Sequence, residues 1–176
     1  MPYGRLQDSD RVNLDASIWD DYWHAHCAWR SGDEVAAFHL YKNLRRDHGI
    51  ELYYEISLKS PTRFVHPIGA VLGRAEYAEY LVVYQGCSVG STVDNERPTF
   101  TGPCVLLPHS GVIGPVTVGK NVWISAGTIV EARPGKPVVI PPDSVVFRAK
   151  DITHRLTKRS VLDTYFPANP RTGERI

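Results

Sequence analysis

Few side chains in this 176-residue chain stand where they could do chemistry, and they lie far apart in sequence. His66 precedes Pro67, and His109 follows Leu107-Pro108. Imidazole exchanges protons near neutral pH, so either could act as a general acid or base. Taken alone, His66 is more often an ordinary surface or core histidine, and His109 a plain exposed one. A polar stretch from Ser91 to Thr99 brings Asp94, Asn95, Glu96 and Arg97 together and suits a polar ligand. His24 and His26 form only a superficial metal pair, because no cysteine–carboxylate set at ligand spacing accompanies them; no metal is expected. Cysteines are odd in number (Cys27, Cys87 and Cys104) and lack CxxC spacing, so core filling is the better reading of Cys87 and Cys104.

The elements that must hold these groups are written in a period of six. Phe100, Leu106, Val112, Val118, Ile124 and Val130 recur every sixth residue, all large and apolar. Two places before the last five stand Cys104, Ser110, Val116, Val122 and Thr128, all small or β-branched. Neither a helical period nor strict alternation gives this pattern. A β-helix does: each hexad supplies one short strand and a corner, with the large residue inward and the small one under the bend. Three hexads make a triangular coil. The alternative, a sandwich with fortuitous spacing, does not explain so long an unbroken run.

Before the regular hexads, the pattern predicts helices. Residues 1 to 14 read as a loose arm, Asp15 as the cap of a short helix carrying Ile18, Trp19, Tyr22 and Trp23. Ser31 with Glu34 forms a capping box opening a second helix. Its apolar face is Val35, Phe38, Tyr41 and Leu44, and Gly49 is the C-cap. Val83 and Val89 keep the hexad phase, and Tyr77 and Val71 fit six and twelve residues before Val83. Five extra residues between Val89 and Phe100 must leave the coil, a functional expense in mid-solenoid. A last coil holds Val138, Ile140, Val145 and Val146. The charged tail beyond Asp151 either docks Val161, Leu162, Tyr165 and Phe166 on a neighbour or stays disordered. The expected divisions are 1–49 helical, 50–148 β-helix and 149–176 tail.

Bulk properties exclude some roles. A net charge of +1 gives no general attraction to nucleic acid or anionic membranes. No apolar run approaches the roughly 18 residues of a membrane span. Met-Pro-Tyr-Gly-Arg lacks the apolar core of a signal peptide, which makes the cytoplasm the expected location.

Helices, hexads and a mid-solenoid loop resemble the hexapeptide-repeat acyltransferases, and within them the serine acetyltransferase branch. His66-Pro67-Ile68-Gly69-Ala70-Val71-Leu72-Gly73 is similar to that branch's histidine-alanine-threonine-glycine-isoleucine-valine-isoleucine-glycine. Glu51 stands fifteen residues before His66, where the branch has an aspartate. Gln85-Gly86-Cys87-Ser88-Val89-Gly90 resembles its glutamine-serine-valine-threonine-leucine-glycine. The likeness covers roughly residues 33 to 148. It implies a mainly β fold, a left-handed parallel β-helix, and an acetyl-CoA-dependent acetyltransferase. It also implies His66 as the general base and Glu51 as the acid that orients it, although Glu51 could equally pair with a rim cation.

By the same resemblance, coenzyme A lies in a groove between two subunits of a homotrimer. It would bond to the backbone of Ser125, Ala126 and Gly127, with Lys120, Arg133, Lys136, Arg148 and Lys150 as available phosphate partners. Two departures concern the acceptor. Val65 replaces the branch's aspartate, and Asn95-Glu96-Arg97-Pro98 replaces aspartate-arginine-histidine-proline. Their loss points to a different hydroxyl acceptor, a sugar or other polyol held by Arg97, Asp94, Asn95, Glu96 and His109. Serine itself or an amine is the close alternative. A zinc hydratase of this fold would need three converging histidines, and a non-catalytic scaffold needs none.

Overall fold

A computed structural model describes residues 8–148, 152–169 and 172–175. Helix α1 (Asp8–Arg30) and helix α2 (Glu34–His48) form a hairpin that closes one end of a β-solenoid. Residues 8 to 14, expected in the arm, belong to α1, which makes an Asp15 cap unnecessary. Asp33, not Ser31, caps α2: its carboxylate accepts from the Ala36 N–H at 2.9 Å, while Ser31 Oγ donates to the Ala28 carbonyl. Gly32, at φ 88°, turns the chain so that Asp33 directly precedes the helix. Gly49 is the left-handed C-cap, as the sequence indicates. The buried face of α2 is Ala37, Tyr41 and Leu44; Val35 and Phe38 are exposed.

The hairpin is fused to the solenoid. Tyr22 Oη donates to the Ile56 carbonyl at 2.6 Å and accepts from the Leu58 N–H. Trp19 Nε1 donates to the Thr62 carbonyl, and His26 Nδ1 meets the Tyr54 carbonyl at 2.8 Å, which gives that ring a structural role. Ile18, Tyr22 and Leu44 share one hydrophobic core with the strands.

Three parallel sheets make the faces of the solenoid. Face one stacks β1 (Glu51–Leu52), β3 (Val71–Leu72), β5 (Ser88–Gly90), β8 (Gly111–Ile113) and β11 (Ile129–Glu131). Face two stacks β6 (Thr99–Phe100), β9 (Val116–Val118) and β12 (Val138–Ile140). Face three stacks β2 (Thr62–Val65), β4 (Leu81–Tyr84), β7 (Cys104–Leu106), β10 (Val122–Ile124) and β13 (Ser144–Arg148). The chain runs one, two, three and back to one. Every large hexad residue from Phe100 to Val130 is at most 5% exposed, and its small partners no more than 2%. Cys87 and Cys104 are fully buried, and burial pushes the Cys104 thiol well up, which removes it from thiolate chemistry.

The phase expected before Val83 slips at one place. Tyr77 points inward, but Val71 faces out and Leu72 fills the core. The cause is the turn after β3: Leu72 and Tyr77 are five residues apart, one fewer than the stacked pair Val112 and Val118. The tail closes the other end. Strand β14 (Ile152–Leu156) pairs antiparallel with β13 and covers its edge. Helix α3 (Val161–Tyr165) then lies on the outside of face three, burying Val161 and Phe166 against Val82, Val105 and Trp123. It therefore docks on its own solenoid, because face three carries an outward row of large apolar residues. Asn121 fixes it, accepting from the Val161 N–H and donating to the Arg159 carbonyl.

Candidate active site

The corner between faces three and one is where the chemistry-bearing residues gather. Following the register through the coils puts His66, Gln85, Pro108 and Ala126 in one column, and continuing it puts Arg148 at the foot. Two residues before each aligned position on β3, β5, β8 and β11 the backbone is left-handed: Gly69 at φ 74°, Gly86 at 62°, His109 at 59° and Gly127 at 68°. Glycine meets that requirement without a steric cost, so His109 is the exception in the ladder. His66 is also left-handed, at φ 49°. Its imidazole is exposed and makes no hydrogen bond among the described residues; only its carbonyl is used, by the Ile68 N–H.

Ser125, Ala126 and Gly127 lie in this corner, two coils beyond the Gln85-Gly86 turn. A side chain at Gly127 would meet nothing within 4 Å, which leaves the backbone open to a ligand. Of the expected cations only Arg148 shares the column. Lys120 sits at the corner between faces two and three, and Arg133 and Lys136 in a second excursion between faces one and two; all three are exposed. Lys150 lies outside the described residues.

Glu51 and His66 share no hydrogen bond or ion pair among the described residues. Its strand pairs Glu51 with Val71, twenty residues on, which places His66 in the corner leading to that strand. The carboxylate reaches α2 instead: Arg45 Nε stands 3.5 Å from Oε2. The buried Tyr41 phenol is pushed up to about 12, first by desolvation and then by this carboxylate.

The excursion after β5 divides its residues. Both Glu96 carboxylate oxygens accept from the Gly135 N–H, at 3.0 and 3.2 Å, tying the two excursions together over Gly114. Asp94 and Asn95 are exposed at the tip. Arg97 turns to a cleft of about 420 Å³ under the end of α1, lined also by Trp29, Glu55, Lys59, Arg74 and Glu76. Arg74 donates to Glu55 at 2.6 Å and Tyr53 Oη donates to the other oxygen, whereas Glu76 and Arg97 have no side-chain partner among the described residues. Sequence reasoning missed this cleft. The signal was present: the bridge between Glu76 and Thr99 sets Arg74 directly below Arg97, one coil plus the excursion away.

Architecture and corner together define a hexapeptide-type β-helix, the class suggested by the sequence pattern. The particular likeness is to serine acetyltransferases. That of Synechococcus elongatus is 29% identical over 107 residues, 57% of this chain and 44% of the relative. That of Bacillus pumilus is 28% identical over 122 residues, 65% of this chain and 56% of the relative. The chain thus spans about half the length of the curated relatives it matches. Among solved structures, a serine acetyltransferase in complex with CoA superposes with a TM-score of 0.68 at 18% identity, over 78% of this chain and 56% of the other. Serine acetyltransferase isoform 3 of Entamoeba histolytica, in complex with cysteine, gives 0.64 at 24% identity, over 81% and 50%. These superpositions fix the fold as the left-handed β-helix of those enzymes. No family model matches the chain. The relatives give no support to a carbohydrate acceptor.

Proposed function

We propose that this protein is an acetyl-CoA-dependent O-acetyltransferase with serine as acceptor, not the sugar that the altered loop suggests. The observation that carries the reading is the corner column with His66 at its head and Arg148 at its foot. Four coil spacings of about 4.8 Å separate the two backbones, about 19 Å in all, a span that an extended pantetheine arm can bridge. Arg148 would meet phosphate, the open Ala126-Gly127 backbone would line the arm, and the thioester would arrive beside His66. Lys120, Arg133 and Lys136 stand on other corners, so they reach this coenzyme only from an adjacent subunit.

His66 takes the acceptor hydroxyl proton as the oxygen attacks the thioester carbon, and returns it to the departing thiolate. The acceptor cleft has the charges of an amino acid's complement: Arg97, Arg74 and Lys59 for a carboxylate, Glu76 for an ammonium group. A neutral sugar uses neither. With acetyl-CoA and a panel of serine, amino sugars and polyols, thiol release is expected with serine, and Arg97→Ala should raise the serine KM about tenfold, one charged hydrogen bond's worth. Release with a polyol alone would restore the carbohydrate acceptor.

His66 and the cleft lie at different corners of one solenoid, which argues for a site shared between copies. Face three is covered by the tail, whereas Ile68, Val71 and Ile129 leave an exposed apolar strip on and beside face one. A homotrimer packed through that strip brings one subunit's His66 toward the next subunit's Arg97. The native mass should be three times 19.7 kDa, and Ile129→Glu should yield a folded, inactive 19.7 kDa monomer by light scattering. An active monomer would rule the shared site out.

A further inference from the structure

Among the described residues, the left-handed ladder at the His66 corner is Gly69, Gly86, His109 and Gly127, and the exception to glycine is a second imidazole. Its position is prepared by the coil before it. A Cβ added at Gly86 would collide with the His109 ring, 2.8 Å from Cε1 and closer still to Nδ1. The ring therefore leans back across Gly86, with its Nδ1–Cε1 edge against that residue and Nε2 away from it. One coil separates Gly86 from Gly69, so this tilt brings the His109 ring to within about one strand spacing, about 4.8 Å, of the His66 level. Like His66, His109 is exposed and its ring makes no hydrogen bond among the described residues. Gln85 Oε1, in the His66 column at the same coil as Gly86, is buried without a partner. Two exposed imidazoles without partners among the described residues, and one buried amide oxygen without one, thus belong to the same corner of adjacent coils. A left-handed histidine with no internal partner performs no service for the fold that glycine would not perform better.

We infer that His109 is a catalytic residue of the same subunit as His66, donating a hydrogen bond from Nε2 to the thioester carbonyl oxygen as it becomes an oxyanion. The inference rests on the acyltransferase reading above. In the step, the acceptor O–H proton passes to His66 and the new C–O bond forms. The carbonyl electron pair moves onto the oxygen facing His109. Collapse then expels the thiolate, which takes the proton back from His66. His109 transfers no proton. A donor fixed before the reaction costs no reorganisation as charge develops, which is why such groups act on kcat more than on binding.

The ladder itself supplies the clean variant. His109→Gly removes the donor and satisfies the left-handed backbone, so the fold is kept. With wild type, His66→Asn, His109→Gly and His109→Gln, kcat and KM are measured by thiol release from acetyl-CoA with serine and the acceptor panel, alongside melting temperature. His109→Gly should lower kcat about 100-fold with the acetyl-CoA KM changed less than about threefold, and the amide N–H of His109→Gln should recover about tenfold of the loss. A wild type that is active and a His109→Gly variant of equal kcat, or one impaired in KM alone, would overturn the assignment and leave the acyltransferase reading intact. A wild type that releases no thiol with any acceptor would overturn both.

Discussion

His66→Asn is expected to lower kcat about a thousandfold, within the range by which removal of a general base slows proton-coupled attack. Asparagine is the informative replacement because it tolerates the left-handed backbone that His66 adopts at φ 49°. Alanine there would mix a steric cost with the chemical loss. The imidazole is exposed and unbonded among the described residues, so its removal takes no packing or hydrogen bond from the fold. The melting temperature should stay within about 1 °C of wild type, as surface substitutions away from special contacts generally allow. Stopped-assay thiol release at saturating acetyl-CoA and serine reads the rate. A variant that retains the wild-type rate would remove His66 from the chemistry and leave the corner column a structural feature.

The largest stability effect is expected at Leu106. It is fully buried at the middle of the stack, and its register partners are Val83 on one side and Ile124 on the other. Leu106→Ala deletes methyl groups from a column whose walls are two strands held by ladder hydrogen bonds, which limits collapse into the space. The cost is expected to be about 3 kcal/mol, in line with leucine truncations in rigid cores. That corresponds to a fall of about 6–12 °C in melting temperature for a chain of this size. Val139→Ala, on the outside of face two and 69% exposed, should change stability by less than about 0.5 kcal/mol. Both variants must be compared at one protein concentration, because subunit association adds to apparent stability. A loss below about 1 kcal/mol at Leu106 would mean that the coils repack freely.

Glu51 shows how coil length varies along a solenoid. A regular coil of three hexads takes eighteen residues, as from Gly111 to Ile129. The first coil takes twenty because its stretch between β1 and β2 and its long corner add residues, so Glu51 lies over Val71 and turns to Arg45. Arg97 and Glu96 part for a related reason. They are adjacent in sequence, but the excursion folds back on Gly135, committing one side chain to the scaffold and leaving the other to the cleft.

Much was already written in the chain. From Phe100 to Val130 each residue's inward or outward direction follows from its place in the hexad, because a residue's stacked neighbours repeat the same demand and no distant contact can overrule it. The same local logic gave Gly49 as a helix cap and Cys87 and Cys104 as core fillers. What only the folded molecule decided was anything that depends on corner lengths or on outer faces: the turn to Leu72 in place of Val71, the ion pair of Glu51 with Arg45, the lean of His109 across Gly86, and the docking of α3 on face three. Those outcomes rest on where a variable loop returns the chain and on which outward rows happen to be apolar enough to be covered. Neither is set by residues near in sequence.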